Sequence, residues 1–196
     1  MIGIDYSHVW VNFVSKLIVV KEEDKIRDKV KDYFSIVQFS FVMLNWHPGS
    51  ELFSNKLLES EHEKPDFYIE KDGIGIPIDV KLPSEVMDKA DVERLFEQLR
   101  ICNGNIGIYI GEHVRVFYRP SVEDELKVVI DAALTENDIE GFTFAELFYK
   151  NNFDIKLLRR DLDILYKLER VIDDFKVTGL VPKEWIKDRY KKRALL

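Results

Sequence analysis

Apolar positions recur with two different periods along this chain of 196 residues, and the change from one period to the other outlines its elements. Between residues 8 and 20, Trp10, Phe13, Val14, Leu17 and Ile18 fall at helical spacing while Asn12 and Lys16 interrupt the run, which predicts a packed helix. A second helix is predicted over 21–34, with Ile26, Val30, Tyr33 and Phe34 on one face and acids crowding its first turn. From Val37 to Tyr118 the pattern is strand-rich. Phe67, Tyr68 and Ile69 form a short apolar stretch, Lys71-Asp72-Gly73 signals a turn, and Ile74, Ile76, Ile78 and Val80 alternate along a second strand. Pro77 suits an edge or bulge position there. Ser84 is a candidate N-cap for a helix carrying Val92, Leu95, Phe96, Leu99 and Cys102, which Asn103-Gly104-Asn105 breaks. Strands are predicted over 106–110 and 114–118, with Gly111-Glu112-His113 as the turn between them.

Past Arg119-Pro120 only helical periodicity is read. Helices are predicted over 121–134, 143–150, 155–175 and 182–193, with Ser121, Thr143 and Asp154 as caps and Gly141 and Gly179 as breakers. Leu157, Leu158, Leu162, Leu165 and Leu168 mark a helix that packs on the core or on a partner. The expected fold is therefore α/β, with a mixed central sheet flanked by helices within residues 1–120 and a C-terminal helical appendage over 121–196.

The polar residues inside this pattern carry the candidate chemistry. Asp79 and Lys81 lie two apart at the end of a strand, so they share a face, and Asp66 opens the neighbouring strand. Two carboxylates are hard oxygen ligands that suit Mg²⁺ or Mn²⁺ while leaving it waters and room for a phosphate oxygen. A compact ammonium beside them can orient water or offset charge building on phosphorus. A plainer reading stands next to this one: Asp and Lys at alternate positions make a solvated strand face, and an Asp after Pro65 caps a turn. The apolar approach of Ile74, Ile76, Ile78 and Val80 favours the metal reading, because a wholly exposed strand has no need of it.

Pro65-Asp66 followed by Asp79-Val80-Lys81 resembles the PD-(D/E)xK nuclease signature. The stretch Glu97 to Tyr118 extends the likeness to the N-terminal nuclease domain of the motor (restriction) subunits of type I restriction enzymes. That family follows its D-x-K or E-x-K strand with a helix bearing Gln-Leu, here Gln98-Leu99, then a strand, a Gly-containing turn and a strand ending in an aromatic. Ile101 or Cys102 stands where an aromatic is usual. The resemblance implies a restriction-endonuclease-like core, DNA phosphodiester hydrolysis with Mg²⁺ or Mn²⁺, and a Gln98 that orients the lysine or contacts the DNA backbone. Otherwise Gln98 is a solvent-facing polar residue of the helix. The family also places an acid on its first helix. Glu23, four residues before Arg27, is the candidate third metal or water-holding carboxylate, with Glu22 and Asp24 as competitors; acids in a first turn also simply complement the helix dipole.

Composition narrows the classes. A 46% hydrophobic content allows a sizeable core, and a single cysteine, Cys102, excludes an intrachain disulfide and suits a reducing compartment. No apolar run is long enough to span a bilayer and no basic leader opens the chain, so a cytoplasmic protein without a membrane partner is expected. No phosphate-binding loop appears, so the ATP-driven motor is absent. The four histidines are scattered without zinc spacing, and no nucleophile elbow is seen. The net charge of −7 hides an asymmetry: residues 156–196 hold twelve Lys and Arg against seven Asp and Glu. Lys183, Lys187, Arg189, Lys191, Lys192 and Arg193 form a cluster able to neutralise DNA phosphates, or equally a solvated helix end. Two classes stay open: a metal-dependent nuclease, and a catalytically silent module of the same fold that binds DNA, a protein partner or a second copy through its C-terminal helices.

Overall fold

Helix α1 (Tyr6–Glu22) starts where the Asp5 carboxylate accepts the amides of Ser7 and His8 at 3.1 and 3.3 Å, and it buries Trp10, Phe13, Val14 and Leu17 completely. The computed structural model describes residues 4–22, 30–54, 64–71, 73–102 and 104–178. Helix α2 (Val30–Met43) lies against α1 and buries Tyr33, Val37 and Phe41 at fourfold spacing. Residues 37–43 are thus helical, where a strand-rich interval was expected. Their β-branched and aromatic content reads as strand, but the Phe41 ring meets Phe13 edge-on at 5.5 Å, and that tertiary packing overrides propensity.

Six strands then form one mixed sheet in chain order: β1 (Leu52–Ser54), β2 (Phe67–Lys71), β3 (Ile74–Val80), β4 (Ile106–Ile110), β5 (His113–Tyr118) and β6 (Lys127–Ala133). All neighbours are antiparallel except β3 and β4, which are parallel. A parallel pair needs a crossover, and α3 (Lys89–Ile101) supplies it. The expected order of strand, strand, helix, strand, strand is present as β2-β3-α3-β4-β5. Pro77 lies in an interior strand, not at an edge. It fits because the pairing with β4 takes in only Ile78 to Val80, which leaves one side of β3 without a partner at Pro77.

β6 occupies residues for which a helix was expected, so the sheet continues beyond Pro120. Val128, Val129 and Ile130 carry the strand signal, and the bulge between Val116 and Phe117 accommodates its pairing with β5. Helix α4 (Ile139–Phe148) is capped by Asp138, whose side chain accepts the Gly141 amide at 2.8 Å, rather than by Thr143. Gly141 is inside this helix and does not break it: a Cβ there would collide with the Trp10 ring, so glycine is what lets α4 close on α1. A short 3₁₀ turn (Lys150–Asn152) leads to α5 (Ile155–Thr178), capped by Asp154 as the sequence indicates. On α5, Leu158, Leu162 and Leu165 are buried, while Leu157 and Leu168 of the expected apolar set are exposed.

The sheet separates two cores. Ile76, Ile78, Val80, Ile106, Ile108 and Ile110 join the large core filled by α1, α2, α4 and α5. On the opposite face α3 is the one described helix that packs, through Leu95 over Tyr109 and Phe117. Gly107 sets its closeness, because a Cβ there would lie 3.0 Å from the Leu95 side chain. Among the described residues no helix is long and apolar enough to cross a membrane.

Candidate functional site

β3 and β4 end side by side, and open α/β sheets collect ligands outside the carboxyl ends of such strands. Because Ile76, Ile78 and Val80 face the large core, alternation sends Asp79 to the α3 face, where it keeps only 2% exposure, and Lys81 follows on the same side. Register brings in Asp66. Phe67 is opposite Ile78, so one residue further along Asp66 stands opposite Asp79. The Asp66 carboxylate accepts the Val80 amide at 2.7 Å, which holds it beside the Asp79 carboxylate across the strand pair. Burial, and then the nearby charge of Asp79, push the Asp66 pKa up to about 7.

Helix α3 supplies the remaining groups. Its N-cap is Asp88, not Ser84: Asp88 accepts the Asp91 amide at 3.0 Å while Asp91 accepts the Asp88 amide at 2.9 Å, a reciprocal capping box. Asp91 also accepts Lys81 Nζ at 2.5 Å. Burial alone would raise its pKa, but the Asp88 amide and the Lys81 ammonium outweigh burial, and the pKa is lowered. One turn on, Arg94 Nη2 donates to Asp79 Oδ2 and lies 3.6 Å from Asp91 Oδ1. A further turn brings Gln98, which is fully buried; its Nε2 is 3.2 Å from the Lys64 carbonyl and 3.4 Å from Asp79 Oδ1. Gln98 Oε1 and Arg94 Nε are buried without a hydrogen-bond partner among the described residues. Gln98 therefore reaches Asp79 rather than Lys81, and it does not face solvent.

The polar line continues across the sheet: Asp79 is opposite Tyr109, Tyr109 opposite Arg115, and Arg115 opposite Asp131. Arg115 bonds Asp131 at 2.9 Å and Glu112 at 2.7 Å, and burial raises the Tyr109 pKa. A cavity of about 440 Å³ elsewhere, beside Tyr6, Phe142, Leu147 and Leu158, shares no residue with this cluster.

The donor set fits a hard divalent cation in part. Two adjacent carboxylates and a buried amide oxygen in want of a partner are compatible with Mg²⁺, which is held through one or two carboxylates and keeps several waters. Among the described residues no group of three or more His, Cys, Asp and Glu side chains is arranged to hold a metal. The expected third carboxylate, Glu23, and its competitor Asp24 lie outside the described residues, as does the basic cluster at 183–193. The structure thus brings Asp66, Asp79, Lys81 and Gln98 together. Sequence reading missed Asp91 and Arg94, although Asp91, Arg94 and Gln98 at i, i+3 and i+7 make one polar stripe beside the apolar stripe of Leu95 and Leu99. No protein-family model, curated protein or solved structure matches the chain.

Proposed function

We propose that this chain is a divalent-metal-dependent nuclease that hydrolyses DNA phosphodiesters on a restriction-endonuclease-like core, akin to the nuclease domain of type I restriction motor subunits. The observation that carries this reading is the Asp66–Asp79 pair at the end of the parallel strands, with Lys81 on the same face. Asp66 and Asp79 would hold Mg²⁺ or Mn²⁺; the ion, when bound, polarises the phosphoryl group and lowers the pKa of water. The residues of the chain do the rest. To hold a dication both carboxylates must be ionised, so the proton that burial favours on Asp66 leaves to solvent. Gln98 Nε2 and the Lys64 carbonyl tie Asp79 to the start of β2, fixing the distance between the two acids. Lys81 Nζ, steadied by Asp91, orients the attacking water or offsets charge on the phosphorane oxygens.

A second reading is favoured by a specific observation. Asp79 is already paired with Arg94 and Lys81 with Asp91, so both acid and base are satisfied within the protein, as they would be in a silent binding module. Incubation with linear, circular and branched DNA, with and without Mg²⁺ or Mn²⁺, separates the two. The nuclease reading expects cleavage only with metal. Binding without cleavage of any form, with either ion, would establish the silent module instead.

A further inference from the structure

Arg94 is the residue of this cluster whose arrangement is least explained by structure alone. It stands on α3 with its side chain 37% exposed, yet its Nη2 is bonded to a carboxylate that is 3% exposed and its Nε is buried without an acceptor among the described residues. A guanidinium has five donors in a rigid fork suited to carboxylate or phosphate. Here part of that fork is on Asp79, with Asp91 Oδ1 3.6 Å away, and Nε has no acceptor among the described residues. Its partner, Asp79, is also one of the two acids that would hold a cation, and Gln98 Nε2, anchored on the Lys64 carbonyl, reaches its Oδ1 at 3.4 Å. Arg94 and a divalent ion therefore compete for one carboxylate.

The charge balance says where Arg94 goes. Asp66, Asp79 and Asp91, all ionised around a dication and accompanied by Lys81 and Arg94, leave a site with a single net positive charge, which matches the single negative charge of a phosphodiester. Without Arg94 the loaded site is neutral and has no charge left for the phosphate. The long, partly exposed stem allows the guanidinium to swing while its Cα stays on α3.

Resting on the nuclease reading above, we propose that Arg94 is a substrate-phosphate clamp of this site, held on Asp79 until a divalent cation takes that carboxylate and then turned to a non-bridging oxygen of the scissile phosphodiester. No covalent bond is made or broken in this exchange; the Arg94–Asp79 pair gives way to a cation–Asp79 pair and an Arg94–phosphate pair.

The test uses the full chain, with Mn²⁺ titrated calorimetrically in the absence of DNA and cleavage measured at saturating Mn²⁺. Arg94→Gln should bind Mn²⁺ several-fold more tightly, because no internal cation competes, while its cleavage rate falls about a hundredfold, as for loss of one preorganised donor. Arg94→Lys keeps the charge and loses the fork, so it should bind Mn²⁺ within about twofold of wild type and still cleave at least tenfold more slowly. A merely structural arginine would not give tighter metal binding together with slower cleavage. Unchanged or weaker Mn²⁺ binding by Arg94→Gln, or wild-type cleavage by either variant, overturns the inference. If Arg94→Gln fails to fold because Asp79 is left uncompensated, Arg94→Lys decides: slow cleavage at full metal occupancy supports the clamp and a wild-type rate rejects it. A wild-type chain that binds no Mn²⁺ and cuts no DNA overturns the nuclease reading and this inference together, whereas active wild type with indistinguishable variants overturns this inference alone.

Discussion

Asp79 shows why a substitution at this site has two consequences. The sequence alone points to a strand end where Asp79→Ala disturbs little packing, but the carboxylate is buried against Arg94 and Gln98. Asp79→Ala should abolish metal-dependent cleavage and also lower stability by roughly 1–3 kcal/mol, since it strands a half-buried guanidinium; calorimetric Mn²⁺ titration and a denaturant melt measure the two effects separately. Asp66 gives a pH signature. Its folded pKa, near 7, is above that of an unfolded Asp, so its contribution to stability is present below the unfolded value and is lost as pH rises through 7. The thermal midpoint in metal-free buffer should therefore fall between pH 5 and pH 8, and Asp66→Asn should flatten that profile; a profile as steep in the variant as in wild type would assign the effect to another group. Asp66, Asp79 and Lys81 were legible because strand alternation places them without knowledge of contacts, whereas Gln98 came only from the resemblance to the nuclease family, its helical position by itself reading as solvent-facing. Asp91 and Arg94 were not, because a charged residue on a helix reads as solvated until the packing of Leu95 over Gly107 turns that stripe toward the sheet.

At the scale of elements, the errors have a common cause. Residues 37–43 mix valine with phenylalanine and residues 127–133 follow Val128, Val129 and Ile130 with two alanines, and each adopted the state that its neighbours required: a helix against α1, a strand against β5. Boundaries were displaced where capping chemistry competes, as when Asp88 and Asp91 together take the start of α3 from Ser84. Asp88→Ala should cost about 1 kcal/mol and loosen the Asp91 that steadies Lys81, so cleavage should slow along with a lower melting point. Gly141→Ala tests the α1–α4 contact. The indole of Trp10, bonded through Nε1 to the Thr135 carbonyl at 2.8 Å, cannot retreat, so overpacking should destabilise the chain by about 1–3 kcal/mol or more.

For the whole molecule, the one parallel pair of the described sheet, β3 and β4, decides the position of the candidate site, since there two strands finish together beneath one helix. That much of the architecture follows from the order of elements. The part played by α4 and α5 does not, because helices expected as an appendage bury Phe144, Phe148, Leu158 and Leu162 in the same core as α1. Charge acts at this scale too. Deleting residues 179–196, which carry six Lys and Arg against two acids, should weaken DNA binding and flatten its dependence on salt between 50 and 200 mM, roughly as expected when several phosphate contacts are lost; anisotropy titrations would record it.

The line from Asp79 through Tyr109 and Arg115 to Asp131 also bears on how the chain finds its fold. Strand register is defined only to within steps that the side chains punish, and a slip of one residue reverses every side chain on a strand. Slipped in this way, β3 would thrust Asp79 among Phe13-side hydrocarbon and send Ile78 toward Arg94, and β5 would do the same with Arg115. In β4 the alternating isoleucines by themselves carry little that distinguishes one alignment from the next; Tyr109 and Gly107 supply the difference. The ionisable row makes the wrong alignments intolerable, so the groups of the proposed site also act as a proofreading device for strand pairing, and their removal should leave a chain more prone to misalign and aggregate during refolding.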